Sequence, residues 1–175
     1  MALVVRKGAL LLPGFLALVA EGRVLRTAEE ALALAFPGGE VHKQAFYLRA
    51  EEKAALQAQG LGDVPGLVFQ YQVHQGGKLV AYAYLDTHRV RTLPETLLVI
   101  LDPQAQVLRV EILAFSEPED YLPRPEWYRQ FAGSSAAKPP QLGTTIRPVS
   151  GATLTAHATA VAVRRVLAVH RVLVP

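Results

Sequence analysis

The chain has 175 residues, a formal net charge of +3, 51% hydrophobic and 19% charged residues, and no cysteine. That length supports one domain with a proper core rather than two, and the composition belongs to a globular chain rather than a disordered one. The lack of cysteine excludes disulfides, thiolate zinc sites, iron–sulfur clusters and c-type haem attachment, and lysine and arginine run together only in pairs such as Arg6-Lys7 and Arg164-Arg165, which offers little to nucleic acid.

In chain order, Arg6 and Lys7 precede an apolar run from Gly8 to Ala20. The run is short of the ~20 apolar residues that span a bilayer. It has the layout of a secretory signal, with small residues near Val19-Ala20 and Leu18 at a poor cleavage position. A buried segment or an uncleaved anchor are the alternatives. Residues 1–22 are thus set apart as a signal or anchor, and 23–175 as a single domain with a membrane-associated or extracytoplasmic address.

Thr27-Ala28-Glu29-Glu30 reads as a capping box opening a short helix through Phe36, stopped by Pro37-Gly38-Gly39. A second helix is predicted over Ala50 to Gln59, ending at Gly60. In "GLVFQYQVHQ", Leu67, Phe69, Tyr71 and Val73 alternate with mostly polar neighbours, as in a half-buried strand, and Gly76-Gly77 turns the chain into "KLVAYAYLDT". A second hairpin pairs "TLLVIL" with "QVLRVEILAF" across Asp102-Pro103-Gln104-Ala105. Strands in the middle and helices at the ends predict an α+β fold: an antiparallel sheet of two consecutive hairpins, packed with N-terminal helices and a long C-terminal helix. The proline-rich stretch after Phe115 reads as a loop with one helical turn near Glu126 to Phe131. The closing helix puts Ala156, Ala160, Val163 and Leu167 on one face, with His157, Arg164 and Arg171 elsewhere.

That closing helix begins at "SGATLT". Ser150 is a good N-cap, while Gly151 and Ala152 leave the backbone open to close approach. Unpaired amides and the positive end of the helix dipole make such a start an anion site. Thr153 and Thr155 add hydroxyls on either side of Leu154, and Arg147 lies just upstream. By chemistry alone this is a phosphate cradle or an ordinary helix start. The five histidines show no metal-ligand spacing, so no metal site is predicted. His88, in "DTHRVRTLPET", reads as a turn histidine after a strand or as a neighbour of the ligand. No serine sits in a nucleophile elbow, and no catalytic residue is assigned.

"VSGATLT" followed by a helix resembles the flavin-attachment motif of the FMN-binding domain family. That family includes subunits of the sodium-pumping NADH:quinone reductase, their Rnf-complex relatives and regulators of nitrous oxide respiration. "EWYRQFAG" is similar to the Trp…Gln-Phe-x-Gly stretch that precedes the motif there, and "VLRVEILAFSEPEDY" resembles the strand and acidic turn before it. The likeness covers about Leu79 to Val169. It implies a bacterial flavoprotein carrying electrons to or from a membrane redox partner, with FMN held through a phosphoester made by a flavin transferase. The matching residues are Ser150, Gly151, Ala152 and Thr153, with Thr153 as the attachment residue.

Arg147 stands where the family pattern has Asp. Either modification tolerates it, or FMN binds reversibly with Arg147 pairing its phosphate. The resemblance also brings Glu117 close to the flavin. Trp127, with Tyr128 and Phe131, either packs against the flavin ring or belongs to the core. Two other readings compete: a soluble FMN-dependent reductase, for which no Gly-x-Gly-x-x-Gly nucleotide pattern is present, and a non-redox module that has lost the flavin.

Overall fold

Residues 23–174 are described by a computed structural model of the chain; the leader expected at 1–22 lies outside the described residues. In chain order the elements are β1 (Arg23–Val24), α1 (Ala28–Ala35), β2 (Glu40–Tyr47), α2 (Ala50–Gln57), β3 (Leu67–Gln75), β4 (Lys78–Arg89), β5 (Pro94–Leu101), β6 (Val107–Phe115), 3-10 turns at Glu119–Tyr121 and Pro125–Phe131, and α3 (Thr153–Leu173). The strands form one antiparallel sheet in the order β1-β6-β5-β4-β3-β2. The α+β arrangement with two consecutive hairpins and a long C-terminal helix is therefore the observed fold.

Alternation along the strands explains the layering. On β5, Leu97, Val99 and Leu101 face one side, where α3, the 125–131 turn and Leu56 of α2 complete the larger core. Leu98 and Ile100 face the other side and pack with Tyr71, Val73, Ala81 and Ala83 beneath Ala28, Ala31 and Leu32 of α1. β4 follows the same rule with a twist of chemistry. Its α3-facing positions run Tyr82, Tyr84, Asp86, His88, so an apolar strand ends polar while still covered by the helix.

α1 starts as the capping box requires. Glu30 N–H donates to Thr27 Oγ1 at 3.1 Å, and Thr27 N–H donates to Glu30 Oε2 at 2.8 Å. Thr27→Ala should lower the unfolding free energy by about 1 kcal/mol, read as a lower urea midpoint at unchanged m-value.

Two strands were not anticipated. β1 is only two residues long, and Leu25 and Arg26 N–H groups both reach Leu113 O of β6. β2 is an edge strand whose two part-buried residues, Val41 and Phe46, are an odd number of positions apart. No one face of it is buried, so no alternation shows in the sequence. β4 runs two residues past its expected end, which places His88 inside the strand rather than in a turn. No helix among the described residues is long and apolar enough to cross a membrane.

Candidate functional site

The start of α3 departs from the expectation in one detail. Ala152, not Ser150, is the N-cap, with φ −122° and ψ 31°, and no side chain caps the helix. Ser150 lies exposed in a turn closed by Ala152 N–H donating to Val149 O at 3.2 Å. The amides of Thr153, Leu154 and Thr155 have no carbonyl one turn earlier in the helix to accept them. Gly151 takes φ +82°, a conformation that favours glycine, and a Cβ there would meet no protein atom within 4 Å. Ala152 is small because it is buried.

A cavity of about 170 Å³ opens against this start, walled by Gly151, Ala152, Thr153, Leu154, Thr155, Tyr121 and Arg91. Arg91 holds its guanidinium over the Tyr121 ring, 4.8 Å from the centroid. Thr155 Oγ1 is committed, donating to Tyr121 O at 2.7 Å. The Thr153 side chain is exposed, and its hydroxyl donates to Val149 O at 3.3 Å.

The other expected residues take different places. Arg147 is exposed and does not line this cavity; its carbonyl accepts the Trp127 Nε1–H at 2.7 Å and its N–H donates to Gln130 Oε1 at 2.9 Å. Trp127 is 9% exposed and meets Tyr128 and Phe131 edge-on, all three inside the core. The aromatic cluster is thus core, and it supports the approach to the helix start from behind. Glu117 Oε1 accepts the N–H groups of Arg91, Thr92 and Leu93 at 3.1, 2.7 and 2.9 Å. These bonds hold its carboxyl below the usual range, the Leu93 and Thr92 amides doing most. Glu117 therefore fixes the loop that presents Arg91.

Beyond Leu154 lies a second cavity of about 760 Å³. One face of α3 walls it with Leu154, His157, Ala158, Val161 and Arg165, opposite the 60–65 segment and the end of β4. Leu154 lines both cavities and is 55% exposed, a large apolar side chain left between them. Taken alone the smaller space falls below the roughly 300–1,000 Å³ of small-molecule sites, and the larger falls within it.

The floor of the larger cavity is a charged cluster. Arg165 grips Asp86 with two bonds, Nε to Oδ2 and Nη2 to Oδ1, both 2.7 Å, and Nη1 donates to Leu61 O. His88 Nδ1 lies 2.9 Å from Asp86 Oδ1, and its Nε2 lies 3.1 Å from Glu95 Oε2. Tyr128 and Thr159 hydroxyls approach Glu95 at 3.5 Å. Burial opposes charging His88, but the bonds and charges of both carboxylates win and raise its pKa to about 9. Burial likewise opposes the Asp86 charge, and its bonds to His88 and Arg165 overcome this and lower its pKa.

No family model matches the chain, and no curated protein is significantly similar to it. The site therefore rests on its own geometry.

Sequence reasoning missed Arg91 and placed the cation at Arg147. The usable signal lay in "DTHRVRTLPET", a short stretch holding Asp86, His88, Arg91 and Glu95. Among the described residues no three ligating side chains are placed to hold a metal ion.

Proposed function

We propose that the protein binds FMN and serves as an electron carrier for a membrane-associated redox chain. The observation that carries this reading is a pair of cavities on either side of Leu154: one sized for a phosphate at a helix start beside Arg91, the next large enough for a flat ring. The amides of Thr153–Thr155 and the Arg91 guanidinium would hold the phosphate. Apolar side chains of α3 would flank the ring, with His88 and Arg165 below it. When bound, FMN supplies the redox chemistry, and the protein supplies orientation and electrostatics.

The exposed Thr153 hydroxyl is accessible to a flavin transferase, which favours attachment through it. In that step the Thr153 oxygen would bond to the flavin-side phosphorus of a flavin dinucleotide, the P–O–P bond would break, and the nucleoside monophosphate would leave with the hydroxyl proton. The protein gains one FMN less one water. Arg91 meets the need for a cation that the sequence offers at Arg147.

The test is intact mass and an absorbance spectrum, before and after denaturing filtration, on protein co-expressed in exported form with a flavin transferase. The expected result is a retained flavin, lost from Thr153→Val. Flavin that washes out on denaturation means reversible binding, which Arg91→Ala should weaken about tenfold or more. Flavin absent under both conditions, including added FMN, overturns the reading and leaves a non-redox module. The size of the second cavity favours one alternative, an FMN-dependent reductase admitting a substrate beside the ring. NADH oxidation by the isolated flavoprotein would select it; bound flavin without turnover selects the carrier.

A further inference from the structure

The four charged groups under the larger cavity are not symmetrically placed. His88 and Arg165 line the cavity, whereas Asp86 and Glu95 do not. Asp86 is 4% exposed and Glu95 0%, both facing α3 from the sheet. The cations thus meet the cavity, and their counter-charges sit behind them.

The protonation of His88 follows from its partners. Each ring nitrogen faces a carboxylate oxygen within hydrogen-bond distance. A neutral imidazole has one N–H and would turn a lone pair on one of those oxygens; an imidazolium donates to both. The remaining groups around the ring fit this assignment. Arg165 from α3 shares Asp86, the Tyr128 hydroxyl from the 125–131 turn and the Thr159 hydroxyl from α3 lean on Glu95, and His157, Arg89 and Asp63 stand among the cavity-lining residues.

We propose that His88 is a positioning residue for the ligand of this cavity: an imidazolium clamped between Asp86 and Glu95 that favours the more negative redox state of a ring-bearing ligand and so makes that ligand's reduction depend on pH. The inference rests on the flavin reading for the identity of the ring. No bond forms or breaks at His88. His88 would keep its proton and offset the negative charge that an external one-electron donor would add to the ring. Above the pH at which His88 loses that proton, the preference for the reduced ligand disappears.

Two measurements decide it. In the flavin-free protein, long-range 1H–15N spectra should show a His88 ring protonated on both nitrogens at pH 7.5; a ring with one N–H at that pH overturns the inference. In the FMN-loaded protein, a redox titration should show the midpoint potential of the one-electron couple falling by about 59 mV, a tenfold change, from pH 7 to pH 10, beyond the change in free FMN. His88→Gln should remove that excess. Because this variant leaves two buried carboxylates sharing one cation, His88→Gln/Glu95→Gln, which drops one charge of each sign and keeps hydrogen-bonding groups, serves as the second variant. Variants that bind FMN and retain the wild-type excess overturn the inference and leave the flavin reading standing. Wild-type protein that carries no flavin after co-expression with the transferase and also fails to quench added FMN overturns both.

Discussion

Arg165→Leu should lower the unfolding free energy by about 3–5 kcal/mol, measured by urea denaturation at pH 7. The substitution keeps apolar bulk at a buried helix position but leaves Asp86 in the interior without its two 2.7 Å charge-assisted bonds. It also strips the Leu61 carbonyl of its donor, beside Gly62, where an added Cβ would lie 3.3 Å from the same guanidinium. The cost comes from the stranded carboxylate rather than from the value of an intact pair, because bringing both charges out of water consumes much of their attraction. Arg165→Leu/Asp86→Asn should therefore recover part of the loss, and the difference between single and double variants measures the coupling. A single-variant loss below 1 kcal/mol would mean that Asp86 is hydrated and the cluster open.

Stability should also decline in mild alkali by about 3 kcal/mol through one residue. The His88 pKa is raised to about 9 by its two carboxylates against the opposing effect of burial, while in the unfolded chain it returns to its ordinary value of 6.5. A raised folded-state pKa contributes stability that is complete below 6.5 and is lost as pH rises through about 9. Asp86 works in the opposite sense, its contribution present at neutral pH and lost only in acid. Urea midpoints at pH 6.5, 8 and 10 should fall for the wild type and stay nearly level for His88→Gln. Parallel declines in the two proteins would assign the alkaline loss to other groups.

The first hairpin was legible through its alternating residues and the second through two apolar runs, each pair joined by a turn of suitable residues. Gly76-Gly77 takes positive φ at both positions, as a two-residue turn demands. α1 was legible for the same kind of reason, since its cap is written within four consecutive residues. β2 was hidden because an edge strand wetted on both faces leaves no periodic trace. The helix start was legible as a place but not as a set of partners. Arg147 is close along the chain, yet its main chain is drawn away by Trp127 and Gln130, while Arg91, sixty-two positions before Thr153, is brought in by the Glu117 clasp on its loop. The floor cluster needed even longer closure, since Asp86 and Arg165 are 79 residues apart. No local pattern reports such a pair; only the strand ending in Asp-Thr-His-Arg under a helix made it possible.

β2 ends the sheet with one side of its backbone unpaired among the described residues. Strands in that position invite addition of a further strand, by another molecule as readily as by the same one. Here Glu40, His42, Lys43 and Gln44 are exposed along the border, and Lys43 lays its ammonium over the Phe69 and Tyr71 rings at 4.7 and 5.3 Å. An incoming strand would have to dehydrate charges of both signs and displace a cation already seated on aromatic faces. The same wetting that hid this strand from view keeps the border of the sheet from growing into a fibre.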